Sequence, residues 1–148
     1  MVIEQVVAEF GDVYNAGKLN RKKMAKLVFN NRVALEKLNE IVHPKVKEHF
    51  EIWVKINDEH RVLIKEAAIL IESGSHQQMH QTILVTAPKS LRIQRVVNRD
   101  KVTENNVKER MSMQLSDEEK SAYADYTIVN DEVKMIIPQV LEILEIIL

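Results

Sequence analysis

The chain has 148 residues, of which 45% are hydrophobic and 29% are charged, with a formal net charge of −1. This length is enough for one domain with a real core, and the apolar content argues against intrinsic disorder. Three glycines, three prolines and no cysteine exclude a collagenous or linker-rich chain, a disulfide framework and a cysteine nucleophile. The balanced charge argues against a nucleic-acid binder. No apolar run reaches the roughly 20 residues that span a bilayer and no signal peptide is recognised, so we expect a cytoplasmic protein.

The first sixty residues have helical apolar spacing. Asn20 and Asn31 are placed to cap two successive helices, because their side-chain oxygens can accept a free N–H of the first turn. The dipeptide His43-Pro44 is expected to end the second helix and to start another, since proline lacks the N–H that a helix interior needs. A helix start would also favour an anionic ligand beside His43.

After residue 60 the pattern alternates between strand and helix. Short apolar runs, partly β-branched, predict strands within residues 61–71, 81–86 and 126–129. Helical spacing predicts a last helix from Asp131 and three helices between the strands, the second of them capped by Thr103, at about 88–99, 103–113 and 116–122. Strands separated by helices favour a parallel α/β sheet.

Two adjacent charges, Lys65 and Glu66, interrupt the first of these apolar runs. A carboxylate at the carboxyl end of a parallel strand can hold Mg²⁺ through water or accept a proton from a substrate hydroxyl. A strand that ends at Ile64 and leaves a solvated charge pair explains the same residues equally well.

A basic stretch covers residues 89–114, with seven basic and three acidic side chains. Arg92, Arg95 and Arg99 share one helix face because they are spaced three and four residues apart, and Arg110 belongs to the next helix. Converging guanidinium groups suit phosphate oxygens, although such clusters also occur as solvated faces. The patch is short and lacks interleaved aromatic residues, which favours a small phosphate over nucleic acid.

Two further patterns predict little chemistry. His76 and His80 could form a metal pair only on a helix, and no third ligand is evident, so a polar surface turn is favoured and no metal site is assigned. A phosphate-binding loop has the pattern G-x-x-x-x-G-K-[ST]. The segment from Gly11 to Leu19 has one residue too many between its glycines, Leu instead of Ser or Thr, and no strand before it.

Several short motifs follow one another along the chain: Phe10-Gly11-Asp12 with Gly17-Lys18-Leu19-Asn20-Arg21, Val28-Phe29, Leu35-Glu36 through His43-Pro44 to Lys47, Lys65-Glu66 through Glu72 to Gly74, Ala87-Pro88, Gln94-Arg95, Arg99-Asp100, Arg110, Gln114, and Ala124-Asp125 through Asn130. In this order they resemble the motifs of the dephospho-coenzyme A kinases, P-loop kinases of the nucleoside-monophosphate-kinase type. The chain departs from them at five positions: Lys47 for Arg, Glu66 for Asp, Ala68 for Pro, Ile71 for Phe, and Lys101 where the family often has Gly.

The resemblance implies a P-loop NTPase-like α/β fold, a three-layer parallel sheet with helices. It begins after the family's P-loop and DAD segment, so the sheet is expected to be truncated at the N-terminus, with a largely helical first third and a helical lid. The implied divisions are an acceptor-binding region at 1–60, an α/β core at 61–88 and 124–148, and a lid region at 89–123.

The resemblance further implies transfer of the γ-phosphoryl group of ATP to the ribose 3′-hydroxyl of dephospho-coenzyme A, with Mg²⁺ in the intact enzyme. The implied catalytic residues are Glu66, Arg95, Arg99 and Arg110. Acceptor binding is implied for His43, Lys47 and Glu72, and ATP binding for Asn130, Arg99 and Arg110.

Three consequences are expected for these 148 residues by themselves. They lack kinase turnover, bind neither ATP nor Mg²⁺ tightly, and self-associate through exposed strand edges. Two alternatives stay open: a non-catalytic nucleotide- or anion-binding module derived from a P-loop kinase, and a helical protein-interaction domain.

Overall fold

The structure, a computed structural model, describes residues 2–28 and 31–148. Phe29, half of the Val28-Phe29 motif, lies outside the described residues. The chain forms two units, one up to Lys65 and one from Glu66 onward.

The described part of the first unit contains three helices and a short hairpin: α1 (Val2–Phe10), β1 (Tyr14–Asn15), β2 (Lys18–Leu19), α2 (Arg21–Val28) and α3 (Arg32–Ile56). The antiparallel strands β1 and β2 are joined by Ala16 and Gly17, whose φ angles are 48° and 77°. Two positive φ angles in a two-residue connection are typical of a type I′ hairpin, and the glycine was its only sequence signal. The hairpin was not predicted, and it contains Gly17 and Lys18 of the rejected phosphate-loop segment.

The core of the first unit is small. Val6, Val13, Met24 and Val28 are buried together, and the first half of α3 packs against them through Ala34, Leu35, Leu38 and Ile41. Both predicted caps are confirmed. The Asn20 Oδ1 accepts the Lys23 N–H at 3.0 Å, and the Asn31 Oδ1 accepts the Ala34 N–H at 3.1 Å.

Helix α3 continues through Pro44, so the expected helix break at His43-Pro44 is wrong. An interior proline removes one helical hydrogen bond and costs about 3 kcal/mol. The first half of α3 is held by its packing on α1 and α2, and its last turn is closed by Asn57, whose side chain donates to the Trp53 carbonyl at 2.7 Å. His43 therefore lies in the middle of a helix and has no helix N-terminus beside it.

The second unit contains a short 3₁₀ turn at Ser75–Gln78 and six further elements: β3 (Ile83–Thr86), α4 (Lys89–Asp100), α5 (Glu104–Ser112), α6 (Asp117–Ser121), β4 (Tyr126–Val129) and α7 (Ile136–Ile147). Strands β3 and β4 pair in parallel, with Ile83 opposite Tyr126 and Thr86 opposite Val129. The strands predicted at 81–86 and 126–129 and the three helices between them are confirmed, as is the α/β fold with a parallel sheet.

The strand predicted within 61–71 is absent. Residues 62–67 have no regular structure, and residues 68–74 form turns. An extended segment becomes a strand only when a neighbour pairs with its backbone groups. Among the described residues, no backbone hydrogen bond joins residues 62–67 to another segment.

Helix α7 begins at Ile136 and not at the predicted Asp131. The Asp131 Oδ1 accepts the N–H groups of Val133 at 3.0 Å and of Lys134 at 2.7 Å. An aspartate that bonds the backbone two and three residues ahead offers an alternative to the helix, which explains the later start. Across the described residues, no helix is long and apolar enough to cross a membrane.

Candidate functional site

The carboxyl ends of β3 and β4 lie side by side, because the strands are parallel and Thr86 is opposite Val129. In open α/β sheets, ligands bind outside this edge. Asn130, predicted to bind ATP, is the first residue after β4, and its N–H donates to the Thr86 carbonyl at 2.8 Å. The carboxyl edge therefore holds one of the predicted site residues in a defined backbone position.

Arg95 reaches this edge from α4. Its Nη1 donates to the Asn130 carbonyl at 3.2 Å, and its Nη2 donates to the Asn130 Oδ1 at 3.1 Å and to the Glu132 Oε1 at 3.0 Å. The Arg95 side chain is 36% exposed and that of Glu132 is 64% exposed. The structure thus brings together Arg95 and Asn130, and both terminal nitrogens of the guanidinium group donate hydrogen bonds.

The segment that Arg95 holds is the β4–α7 loop, residues 130–135. Glu132 has a φ of 67°, a left-handed conformation that costs a non-glycine residue free energy. The backbone N–H groups of Lys134 and Val133, which bond the Asp131 carboxylate, lower the pKa of that carboxyl. Side-chain hydrogen bonds at successive residues of this loop therefore offset a strained backbone.

Two further predicted residues, Arg99 and Arg110, meet at Asp100, which was not predicted, and these three residues form the Asp100 cluster. The Asp100 Oδ1 accepts from the Arg99 Nε at 2.7 Å and its Oδ2 accepts from the Arg99 Nη2 at 3.2 Å, and the Arg110 Nη1 lies 3.5 Å from the same Oδ2. The hydrogen bond from Arg99, and to a lesser extent the charge of Arg110, lower the pKa of Asp100. Two arginines from different helices thus share one carboxylate.

The connection between α4 and α5 brings these arginines together. Lys101 ends α4 with a φ of 54°, and Thr103 caps α5 by accepting the Asn106 N–H at 3.3 Å, as predicted. A left-handed residue after a helix is most often glycine, so Lys101 holds a conformation that glycine would adopt at a lower cost.

Glu72 lies in an open cleft of about 380 Å³. Its Oε1 accepts the Leu115 N–H at 3.2 Å and lies 3.0 Å from the Lys120 Nζ, and both charged side chains are mostly buried. His76, in the cleft wall, meets the ring of Tyr123 edge to face at 5.1 Å between centroids. Glu72 is therefore held by an ion pair with a lysine that sequence reasoning had not assigned.

The other predicted site residues are Glu66 in the second unit and His43 and Lys47 in the first. Glu66 is exposed at the start of the second unit. In the first unit, His43 is half-buried in α3, and Lys47 is exposed with its Nζ 3.9 Å from the Glu51 carboxylate. Lys65 lies over the Phe50 ring, 4.0 Å from its centroid.

His76 and His80 are not on one helix, because the 3₁₀ turn that contains His76 ends at Gln78, before His80. Within residues 2–28 and 31–148, no group of three His, Asp or Glu side chains could hold a metal ion.

Gln139 and Glu132 were missed by sequence reasoning. Gln139 is a polar residue inside the apolar stretch Met135–Leu141, which was a usable signal for a buried hydrogen-bonding role. Glu132 has no sequence signal, because an acidic residue in a loop is usually solvated.

A family model described as Dephospho-CoA kinase matches residues 1–135. The chain is 39% identical to a Dephospho-CoA kinase of Bacteroides fragilis over 133 residues, which is 90% of this chain and 65% of that protein. It is 36% identical to a Dephospho-CoA kinase of Chlorobium chlorochromatii over 138 residues, 88% of this chain and 65% of that protein. The chain therefore spans about two thirds of the length of these curated relatives.

Two solved structures are similar to the whole chain. TT1252 from Thermus thermophilus has a TM-score of 0.80 at 26% identity and covers 97% of this chain and 75% of its own. The Dephospho-CoA kinase from Campylobacter jejuni has a TM-score of 0.62 at 28% identity and covers 98% of this chain and 73% of its own. The recognised motifs, the parallel α/β fold and these matches agree, and the chain belongs to the dephospho-CoA kinase family.

Proposed function

We propose that this chain carries part of the nucleotide- and acceptor-binding machinery of a dephospho-CoA kinase. In that reaction the bond between the γ-phosphorus of ATP and its bridging oxygen breaks, and the ribose 3′-oxygen of dephospho-CoA forms a new bond to the phosphorus. The hydroxyl proton is released, ADP leaves, and coenzyme A is the product. Family membership and the names of the curated relatives support this proposal.

The observation that carries the proposal is the Asp100 cluster. Arg99 and Arg110 come from separate helices and converge on Asp100, and their side chains are 74% and 44% exposed. One carboxylate between two guanidinium groups leaves a net positive charge at the surface. Fixed guanidinium groups stabilise the charge that spreads over phosphoryl oxygens during transfer, and this is the role we propose for both arginines.

We assign Asn130 to the nucleotide at the carboxyl edge of the sheet. Arg95 was predicted to be catalytic alongside Arg99 and Arg110. Both of its terminal nitrogens donate hydrogen bonds to Asn130 and Glu132. In this proposal Arg95 serves the nucleotide through Asn130, whereas Arg99 and Arg110 meet phosphate oxygens directly.

For the acceptor we propose Lys47 and His43 on α3, with Glu66 and Glu72 as the carboxylates of the second unit. Lys47 is exposed and its ion pair with Glu51 is loose, so its charge is accessible to an anionic acceptor. Glu66 is an exposed carboxylate that could accept the hydroxyl proton. Among the described residues no three acidic or histidine side chains cluster, and we assign none of them as a magnesium ligand.

We further propose that these 148 residues alone do not turn over, because their sequence contains no G-x-x-x-x-G-K-[ST] motif. The test is an assay of coenzyme A formation from ATP and dephospho-CoA with the purified chain. Product above the level of a protein-free control would contradict this part of the proposal.

ATP binding tests the role proposed for the Asp100 cluster. Calorimetric titration with ATP is expected to give weak binding that Arg99→Ala and Arg110→Ala each reduce several-fold. Lys108→Ala is the matched control, because it removes a positive charge from α5 whose partner is Glu104 and not Asp100. Equal affinity in all variants, or no binding to the parent chain, would overturn the proposed role of the cluster.

We also propose self-association through the sheet. Among the described residues β3 pairs only with β4, and its side chains Ile83 and Val85 are 43% and 59% exposed. An exposed apolar strand edge tends to pair with another chain. Sedimentation is expected to detect oligomers that Val85→Lys reduces, and a monomeric parent chain would contradict the proposal.

A further inference from the structure

Gln139 lies in the first turn of α7 and pairs with the last residue of β4. Its Oε1 accepts the Val129 N–H at 2.9 Å, and its Nε2 donates to the Val129 carbonyl at 3.0 Å and to the Met135 carbonyl at 2.9 Å. One side-chain amide thus satisfies both backbone groups of a single strand residue.

The two edges of β4 have different partners at this point. The Asn130 N–H points toward β3, where it donates to the Thr86 carbonyl. Backbone groups of successive strand residues point to opposite edges, so those of Val129 point away from β3. Gln139 therefore occupies the position that a further strand would take, and the end of β4 is paired on both sides.

Arg95 forms hydrogen bonds to Asn130, the residue that follows Val129. Its two hydrogen bonds to Asn130 use the backbone carbonyl and the side-chain oxygen, so they restrict both the backbone and the side-chain torsions of that residue. Consecutive residues, Val129 and Asn130, are thus held from α7 and from α4.

We propose that Gln139 and Arg95 form a two-sided clamp that sets the position of Asn130 at the carboxyl edge of the sheet, with Gln139 as a positioning residue. The functional part of this inference rests on the proposed nucleotide role of Asn130. The hydrogen bonds of the Gln139 side chain go to the backbone of Val129 and Met135, so we place its effect on a ligand through Asn130.

The experiment follows hydrogen exchange by NMR in the full 148-residue chain, at the Val129 and Asn130 amides and at the Arg95 guanidinium group. Gln139→Leu keeps the volume of the side chain and removes its three hydrogen bonds. Gln139→Glu can still accept the Val129 N–H but cannot donate to either carbonyl. Glu142→Gln is the control, because it changes an exposed residue of the same helix.

If Gln139 and Arg95 form this clamp, Gln139→Leu raises the hydrogen-exchange rate roughly ten-fold at the Val129 amide and several-fold at the Asn130 amide and the Arg95 guanidinium group. Gln139→Glu gives an intermediate effect, and the control variant matches the parent chain. If the NMR signals of the Asp100 cluster stay unchanged in each variant, the second unit remains folded.

The clamp is wrong if Val129 exchanges faster while Asn130 and the Arg95 guanidinium group do not change, because Gln139 then only covers the strand edge. An ATP titration separates this failure from that of the proposed function. If ATP shifts no Asn130 signal in the parent chain but the three sites respond together to Gln139→Leu, the clamp stands and the nucleotide role of Asn130 fails.

Discussion

Arg95 and Arg99 lie one turn apart on α4, and they meet different partners. Arg95 is 36% exposed and holds the β4–α7 loop through a backbone carbonyl, an amide oxygen and the Glu132 carboxylate. Arg99 is 74% exposed and pairs with the adjacent Asp100. The same residue type at helical spacing thus serves the fold in one case and leaves a charge at the surface in the other. Spacing predicted a shared face, and the partners decide the role.

The largest expected effect separates these two arginines. Arg95→Ala removes three hydrogen bonds to the β4–α7 loop and leaves the Asn130 carbonyl without that partner, so we expect a loss of about 2 kcal/mol in the free energy of unfolding. Arg99→Ala is the matched control, because exposed ion pairs contribute roughly 0–1 kcal/mol. Urea denaturation of both variants measures the difference, and equal losses would break the comparison.

Asp100→Asn tests the Asp100 cluster from its acidic side. Removing the carboxylate leaves two guanidinium groups without their shared counter-charge, so we expect ATP to bind several-fold more tightly, with little change in stability. Calorimetry in low and in physiological salt measures this, because an electrostatic gain shrinks as ionic strength rises. A weaker interaction in the variant would indicate that Asp100 positions the arginines and does not compete with the anion.

Each of the two regions is expected to lose stability in acid through its own carboxylate. Backbone N–H groups lower the pKa of Asp131 below its usual 3.8, and Arg99 chiefly lowers that of Asp100. A lowered pKa means that the ionised form stabilises the folded state above the unfolded pKa, and that this contribution is lost as pH falls through the folded pKa.

Below about pH 3.8, therefore, the Val133 and Lys134 amides should lose protection in the parent chain. Asp131→Asn should remove most of this pH dependence, while Asp100→Asn leaves it unchanged. Hydrogen exchange at several pH values between 5 and 2.5 measures both variants, and identical profiles in the parent chain and Asp131→Asn would contradict the assignment.

The smallest effect concerns Lys101. A glycine adopts its left-handed conformation without steric cost, so Lys101→Gly should raise the free energy of unfolding by at most about 1 kcal/mol. Thermal scans measure the change, with Lys108→Gly as a control that should be destabilising because it lies inside α5. A loss of stability in Lys101→Gly would show that the lysine contributes contacts at this position.

Local chemistry predicted much of the fold. Asn20, Asn31 and Thr103 were recognised as helix caps because a cap needs only a side-chain oxygen beside a free N–H. The strands β3 and β4 were recognised by their β-branched, apolar runs. These signals come from a few neighbouring residues, and the structure bears them out.

The errors have non-local causes. A strand within 61–71 required a pairing partner. An uninterrupted α3 depended on the packing of its first half on α1 and α2 and on the hydrogen bond from Asn57 that closes its last turn. In the candidate site, the arginine cluster was visible in the sequence, but the pairing of Arg95 with Asn130 and of Glu72 with Lys120 joins residues 35 and 48 positions apart, which no periodicity reports.

The amide of Gln139 has a consequence for how the sheet can grow. A strand added beside Val129 would first have to break two hydrogen bonds to Gln139, whereas the described residues place no comparable side chain on the outer edge of β3 at Ile83 and Val85. A further strand can therefore add beside β3, whereas the backbone groups at the end of β4 are already paired with Gln139. Association through the strands should therefore stop at two chains joined by their β3 edges, and substitutions on β3 should weaken this pair more than substitutions on β4.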